Sequence, residues 1–220
     1  MIVEMCQQLG AWERARVLLH SATKVLRGVV RRPLLREVDG LLFVGKHVEI
    51  THGNNISCGK NVKFESYSEI QGLCRDGLIF GNNVTIGRGV MIRPSSYYGV
   101  DLGFGLSMGD GSSIGPHGYI GCAGPIKIGS NTMLGPKCSL FAENHNFGAS
   151  DRDIKEQGVN RRGIVIGNNC WIGSNVVILD GVTIGDGCVI GAGTLVSRDV
   201  EANTIVIDKR NKVSCPRTSE

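Results

Sequence analysis

From residue 166 the chain reads IGNNCW, IGSNVV, ILDGVT, IGDGCV, IGAGTL and then V, which sets Ile166, Ile172, Ile178, Ile184, Ile190 and Val196 at a spacing of six. Four residues after each of the first five stands a smaller group: Cys170, Val176, Val182, Cys188 and Thr194. A period of six fits neither the helical repeat of about 3.6 nor the strand repeat of about 2. It fits a short strand and a tight turn, repeated, with three units closing a triangular coil of about 18 residues. Shorter blocks keep the period: Val44, Ile50, Ile56, Val62; Phe80, Ile86, Ile92; Ile114, Ile120, Ile126; and Ile128, Leu134, Leu140. Shifts of phase between blocks mark insertions. The expected fold is mainly β, a parallel β-helix over residues 39–207 whose stacked coils bury one continuous aliphatic core. Glycine, at 32 of 220 residues, supplies with asparagine the corner angles that other residues adopt poorly.

Residues 10–32 follow another rule. Glu13, Arg16, His20, Lys24, Arg27 and Arg31 recur at spacings of three and four, and Ala15, Leu18, Leu19, Ala22, Val25, Leu26 and Val29 fall opposite them. This predicts an amphipathic helix ending near Pro33, within an amino-terminal segment 1–38. Residues 1–36 hold seven Arg/Lys against two Glu, so most of the net charge of +4 sits there. Two readings follow. The apolar face packs on the β-helix or on a neighbouring subunit, or the basic helix lies against an anionic membrane. Nucleic acid is not expected, since no aromatic interleaving or binding motif accompanies the charge. Met1–Gln8 lacks the pattern of a secretory signal, and no apolar run reaches the ~18 residues of a span, so the expected location is cytoplasmic, at most peripheral at the inner face of the plasma membrane. The eight cysteines are scattered without a C-x-x-C pair, and several take small inward positions of the repeat, as reduced packing residues do.

Between Leu140 and Ile164 the repeat stops, and a polar loop (141–164) contains Glu143-Asn144-His145-Asn146-Phe147. An insertion of that length in a tight scaffold costs ordering entropy and usually has a use. An imidazole, which titrates near neutrality, can act there as a general base. The NHNF run, the following charged loop with Gln157-Gly158, and GIVIGNNCWIGSNVVILDGVTIGDGCVIGAGTLVSRDV together resemble the hexapeptide-repeat O-acetyltransferases, in particular the branch serving bacterial surface polysaccharides of the O-antigen, capsule and colanic acid type. The likeness covers about residues 40–207 and is most specific over 140–200.

That resemblance implies a left-handed coil and a homotrimer with active sites between adjacent prisms. It further implies acetyl-CoA as donor, no metal, and a sugar or lipid-linked glycan as acceptor. His145 would be the base in direct transfer without an acyl-enzyme. Asn144, Trp171 and His117 would face the acceptor, with Trp171 also beside the pantetheine arm. Ser174 and Ala192 would offer backbone groups to the pantetheine, and Ser197 and Arg198 would lie near the 3′-phosphate. Relatives close the prism with Gly-x-Pro-Ala-Lys, whereas this chain has Ile207-Asp208-Lys209-Arg210-Asn211-Lys212, which leaves the tail 208–220 and any role of Lys209 or Arg210 open.

Other readings stay in view. N-acetylation of an amino-sugar would use the same base, and an antibiotic is an alternative acceptor. A non-catalytic scaffold is compatible with the fold alone. His47 and His52 share the five-residue separation of two zinc ligands in trimeric β-helix carbonic anhydrases, but the only upstream histidine is His20 on the predicted helix, and catalytic zinc needs three protein ligands.

Overall fold

The computed structural model describes residues 9–99 and 101–209. A helix, α1 (Ala11–Arg31), is followed by a 3-10 turn, Arg32–Leu34, around Pro33. The chain then winds into stacked coils whose strands build three all-parallel sheets of seven, eight and seven strands, the faces of a triangular prism. Face one runs from Glu37–Val38 to Thr183–Ile184, face two from Leu42–Val44 to Ile205–Val206, and face three from Glu49–Thr51 to Leu195–Val196.

The hexad sets this geometry. In the last complete coils Ile166, Ile172 and Ile178 anchor the three faces, and Ile184, Ile190 and Val196 lie in register over them. All six are buried, as are Cys170, Val176, Val182, Cys188 and Thr194. One block differs in phase from the sequence reading. The second coil is anchored by Cys58, Phe64 and Ile70, in register with Phe80, Ile86 and Ile92. Ile56 and Val62, the expected anchors, lie two residues earlier on the same strands and are also buried. Strand alternation turns residues two apart to one side, so a period of six reads equally well through either.

Call the prism edges 1–2, 2–3 and 3–1 after the faces they join. From face one to two and from two to three the anchors are six apart in every coil, as in Met108, Ile114 and Ile120 or Ile128, Leu134 and Leu140. The third residue after an anchor takes a positive φ: Asn61, Asn83, Asn131 and Asn169 on edge 1–2, and Tyr67, His117, Lys137 and Asn175 on edge 2–3. The return across edge 3–1 instead varies. Ile178 to Ile184 is six residues, Ile120 to Ile128 eight, Ile70 to Phe80 ten, Ile92 to Met108 sixteen and Leu140 to Ile166 twenty-six. All large phase shifts therefore fall on one edge.

The helix removes one of the readings left open by the sequence. Its apolar face does not pack on the protomer's own prism. Gly28 is the buried position of α1, and a Cβ there would lie 1.8 Å from the Leu42 carbonyl oxygen, so only glycine permits this approach. Beside it Lys24 Nζ pairs with Glu65 at 2.7 Å. The polar and small side thus faces inward, while Trp12, Leu18, Leu19, Leu26, Val29 and Val30 are exposed.

Candidate active site

The longest return on edge 3–1 carries His145. After Ala142 the chain leaves the prism, and Asn144–His145 pairs antiparallel with Val159–Asn160, His145 opposite Val159. One residue nearer the prism Arg161 Nε donates to Glu143 Oε2 at 2.6 Å, closing the neck of the hairpin. Asp180 of the next coil accepts from the Arg162 and Gly163 amides at 3.0 and 2.7 Å, fixing the exit. The Gln157 side-chain amide accepts from Ala149 N at 2.9 Å and donates to Ala149 O at 2.8 Å and Arg152 O at 3.0 Å. Asn146 Nδ2 donates to Gln157 O at 3.1 Å. A polar insertion is thereby held in one conformation, with His145 and the Phe147 ring exposed.

Ser174 and Ala192 occupy edge 2–3 in successive coils, where Gly193 N donates to Ser174 O at 2.8 Å. Along edge 1–2 four of the corresponding amides are capped by side chains, Lys60 N by Asn82, Asn82 N by Asp110, Ser130 N by Asn168 and Asn168 N by Asp186, while those of Asp110 and Asp186 have no acceptor among the described residues. The amides of Ser174 and Ala192 have no acceptor among the described residues. Corner donors left without a protein acceptor suit a carbonyl-bearing ligand. His117 lies on the same edge two coils earlier, exposed and at φ +60, its Nδ1 2.6 Å from where a Gly89 Cβ would stand. Trp171 points outward from face two between Met133 and Val189 and is 57% exposed. Ser197 and Arg198 are exposed on edge 3–1, just beyond Val196.

The protomer therefore sorts the predicted residues into two groups. His117, Ser174 and Ala192 share edge 2–3 with Trp171 on the adjoining face, and Asn144, His145, Ser197 and Arg198 share edge 3–1. It does not bring the two groups together. Described residues reach Lys209, so Arg210 and the tail beyond it lie outside them.

Sequence reasoning missed two features. His47, Tyr67 and Lys137 take the positive-φ turn position of edge 2–3, where His47 stacks on Tyr67 at 4.9 Å and Arg88 lies 4.4 Å over the Tyr67 ring. Their signal was a residue other than glycine or asparagine three places after an anchor. The second is the return after Ile92, where Ser95 Oγ donates to Leu73 O at 2.6 Å and the Tyr97 hydroxyl meets Thr51 Oγ1 at 3.2 Å. The sixteen-residue gap to Met108 marked it. His47 and His52 lie on different edges, His47 beside Tyr67 and His52 beside Tyr97. Cys58, Cys74, Cys122, Cys138, Cys170 and Cys188 are free and buried, and burial pushes the Cys58 thiol up to about 12. Cys6 and Cys215 lie outside the described residues.

Residues 163–198 match the family model for the bacterial transferase hexapeptide, six repeats. Among solved structures, a mutant of AntD, an N-acyltransferase from Bacillus cereus, in complex with dTDP-4-amino-4,6-dideoxyglucose and coenzyme A superposes with a TM-score of 0.54 at 14% identity, over 87% of this chain and 89% of that one. Another AntD mutant, in complex with dTDP and coenzyme A, gives 0.52 at 15% identity, over 80% and 82%. A maltose O-acetyltransferase from Clostridium difficile 630 gives 0.41 at 22% identity, over 93% and 76%. At these identities the AntD likeness establishes shared architecture.

Proposed function

We propose that this chain is an acetyl-CoA-dependent O-acetyltransferase acting on a sugar hydroxyl of a glycan or glycan precursor. The observation that carries the reading is the braced hairpin, which presents the exposed imidazole of His145 from a coil adjoining the hexapeptide repeats 163–198. The separation of the two residue groups supports a homotrimer, because edge 2–3 of one copy set against edge 3–1 of the next would complete each site, and left-handed coiling is what the sequence resemblance favours. Polysaccharide biosynthesis at the cytoplasmic side, with a lipid-linked or nucleotide-linked acceptor, is the setting that the sequence resemblance favours.

In this mechanism the acceptor oxygen attacks the thioester carbonyl while the His145 imidazole takes its proton. The new C–O bond forms, the C–S bond breaks, and the imidazolium returns the proton to the departing coenzyme A thiolate. Corner amides such as those of Ser174 and Ala192 hold the pantetheine, and a neighbouring corner N–H stabilises the oxyanion. Trp171 and His117 would bound the acceptor with Asn144, and Ser197 and Arg198 would meet the 3′-phosphate. No acyl-enzyme is needed, and the six described cysteines are too buried to form one.

A second reading, N-acylation of an amino-sugar on a nucleotide, is favoured by the likeness to AntD, whose structure holds such a sugar. The test is release of free thiol from acetyl-CoA by wild type and His145→Ala, against paired hydroxyl and amine acceptors. Acceptor-dependent release falling about a hundredfold or more in the variant supports the reaction and its base. Preference for the amine selects the second reading, and equal rates in both proteins remove His145 from the chemistry.

A further inference from the structure

The outward stripe of α1 has an occupant that its own borders describe. Trp12, Leu18, Leu19, Leu26, Val29 and Val30 are each more than half exposed, an apolar band on a helix of 21 residues. The helix cannot roll to bury them. Gly28 sits against the Leu42 backbone and Lys24 is paired with Glu65, so the opposite side is committed to the prism. From Ala11 to His20 every residue but Val17 is exposed.

The charges flank the band. Arg14 and Arg16 lie at its two borders, and Arg31, Arg32 and Arg36 gather at the carboxyl end of the helix. Glu13 is the one acidic residue between positions 9 and 36, and its carboxylate is taken up by the Gly10 amide at 3.1 Å. An apolar band bordered by arginines, with a tryptophan near one end, matches a surface apolar at depth and anionic at its rim. A second copy of the helix would bring like charges together. The rest of the chain carries a net charge near −1, too little to neutralise seven basic groups. No described helix is long and apolar enough to cross a membrane, so an engaged α1 lies in the plane of the surface.

We propose that α1 docks the protein on an anionic lipid bilayer, with the Trp12–Val30 band immersed in the interface and the arginines on the headgroups. This placement is independent of the acyl-transfer reading, since nothing in it uses His145.

The test is co-sedimentation of the full chain with phosphatidylcholine vesicles made with and without phosphatidylglycerol. Binding is expected to be about tenfold or more stronger with the anionic lipid and to fall as salt is added. The double variant Leu19→Glu, Leu26→Glu is expected to lose it by a similar factor, with its thermal midpoint and sedimentation coefficient unchanged because both side chains face solvent. Equal binding to both vesicles, or full binding by the double variant, overturns the proposal. So does a variant that dissociates into smaller species while still binding lipid, which would make the band a contact between copies.

Discussion

Along edge 1–2 every turn has the same length, asparagine or glycine takes most of its left-handed positions, and side chains cap four of the corner amides. Along edge 3–1 the return ranges from four residues, Val196 to Val200, to twenty-six and carries side chains that the core does not need. The same coils supply both. A stack held by two invariant edges leaves the third free to vary, and the candidate chemistry has collected there. Edge 2–3 is intermediate: it keeps the turn length but puts Tyr67, His117 and Lys137 where asparagine fits better.

The most direct way to break this contrast is to remove the hairpin. Excising residues 143–162 joins Ala142 to Gly163 and brings Leu140 and Ile166 to the hexad spacing. The product Leu140-Phe141-Ala142-Gly163-Ile164-Val165-Ile166 then parallels Ile178-Leu179-Asp180-Gly181-Val182-Thr183-Ile184, and Gly163 and Gly181 already share φ near +90. Acetyl transfer is expected to fall by about 10²–10⁴-fold, while the urea midpoint and circular dichroism stay close to wild type. Collapse of the fold would mean that edge 3–1 is not free.

Ile172→Ala is the converse change, touching the stack and not the edge. Ile172 has no exposed surface, so about 2–5 kcal/mol of unfolding free energy should be lost in urea titration.

The buried thiols separate core from edge by pH. Burial raises Cys58, so the unfolded chain releases its proton first and stability falls as pH rises. For this thiol the window opens at the ordinary value of 9.0 and closes at about 12. Inside it each pH unit costs about 1.4 kcal/mol for a single thiol. Chemical denaturation across this range should show the loss, and Cys58→Ala should reduce its slope.

The smallest effect compares turns. Asn131→Ala on edge 1–2 should cost about 1 kcal/mol, whereas Lys137→Gly on edge 2–3 should be neutral or stabilise by up to about 1 kcal/mol, because both residues hold φ near +57. Thermal melts of the pair read the difference in sign.

The core was legible because each anchor is repeated locally: Ile166 through Val196 give the register without reference to any distant residue. The hairpin was legible as a gap, and His145 as its one imidazole. What holds the hairpin was not, since Glu143 meets Arg161 only once the loop has folded back on itself, and Arg162 meets Asp180 only once the next coil has stacked. What the apolar face of α1 meets was left open for the same reason. Its pattern specifies an apolar face but not what that face meets, and the contacts that decided it join Lys24 to Glu65 and Gly28 to Leu42.

The hairpin also has a bearing on how the chain can change. It lengthens one turn of the coil from 18 residues, as between Ile166 and Ile184, to 38 between Ile128 and Ile166. Closure entropy grows only with the logarithm of loop length, so a doubling costs about 0.6 kcal/mol. The constraint on a replacement is that its two ends meet between Ala142 and Gly163. Loops of different length and chemistry can therefore be exchanged at that junction with little penalty to the prism beneath.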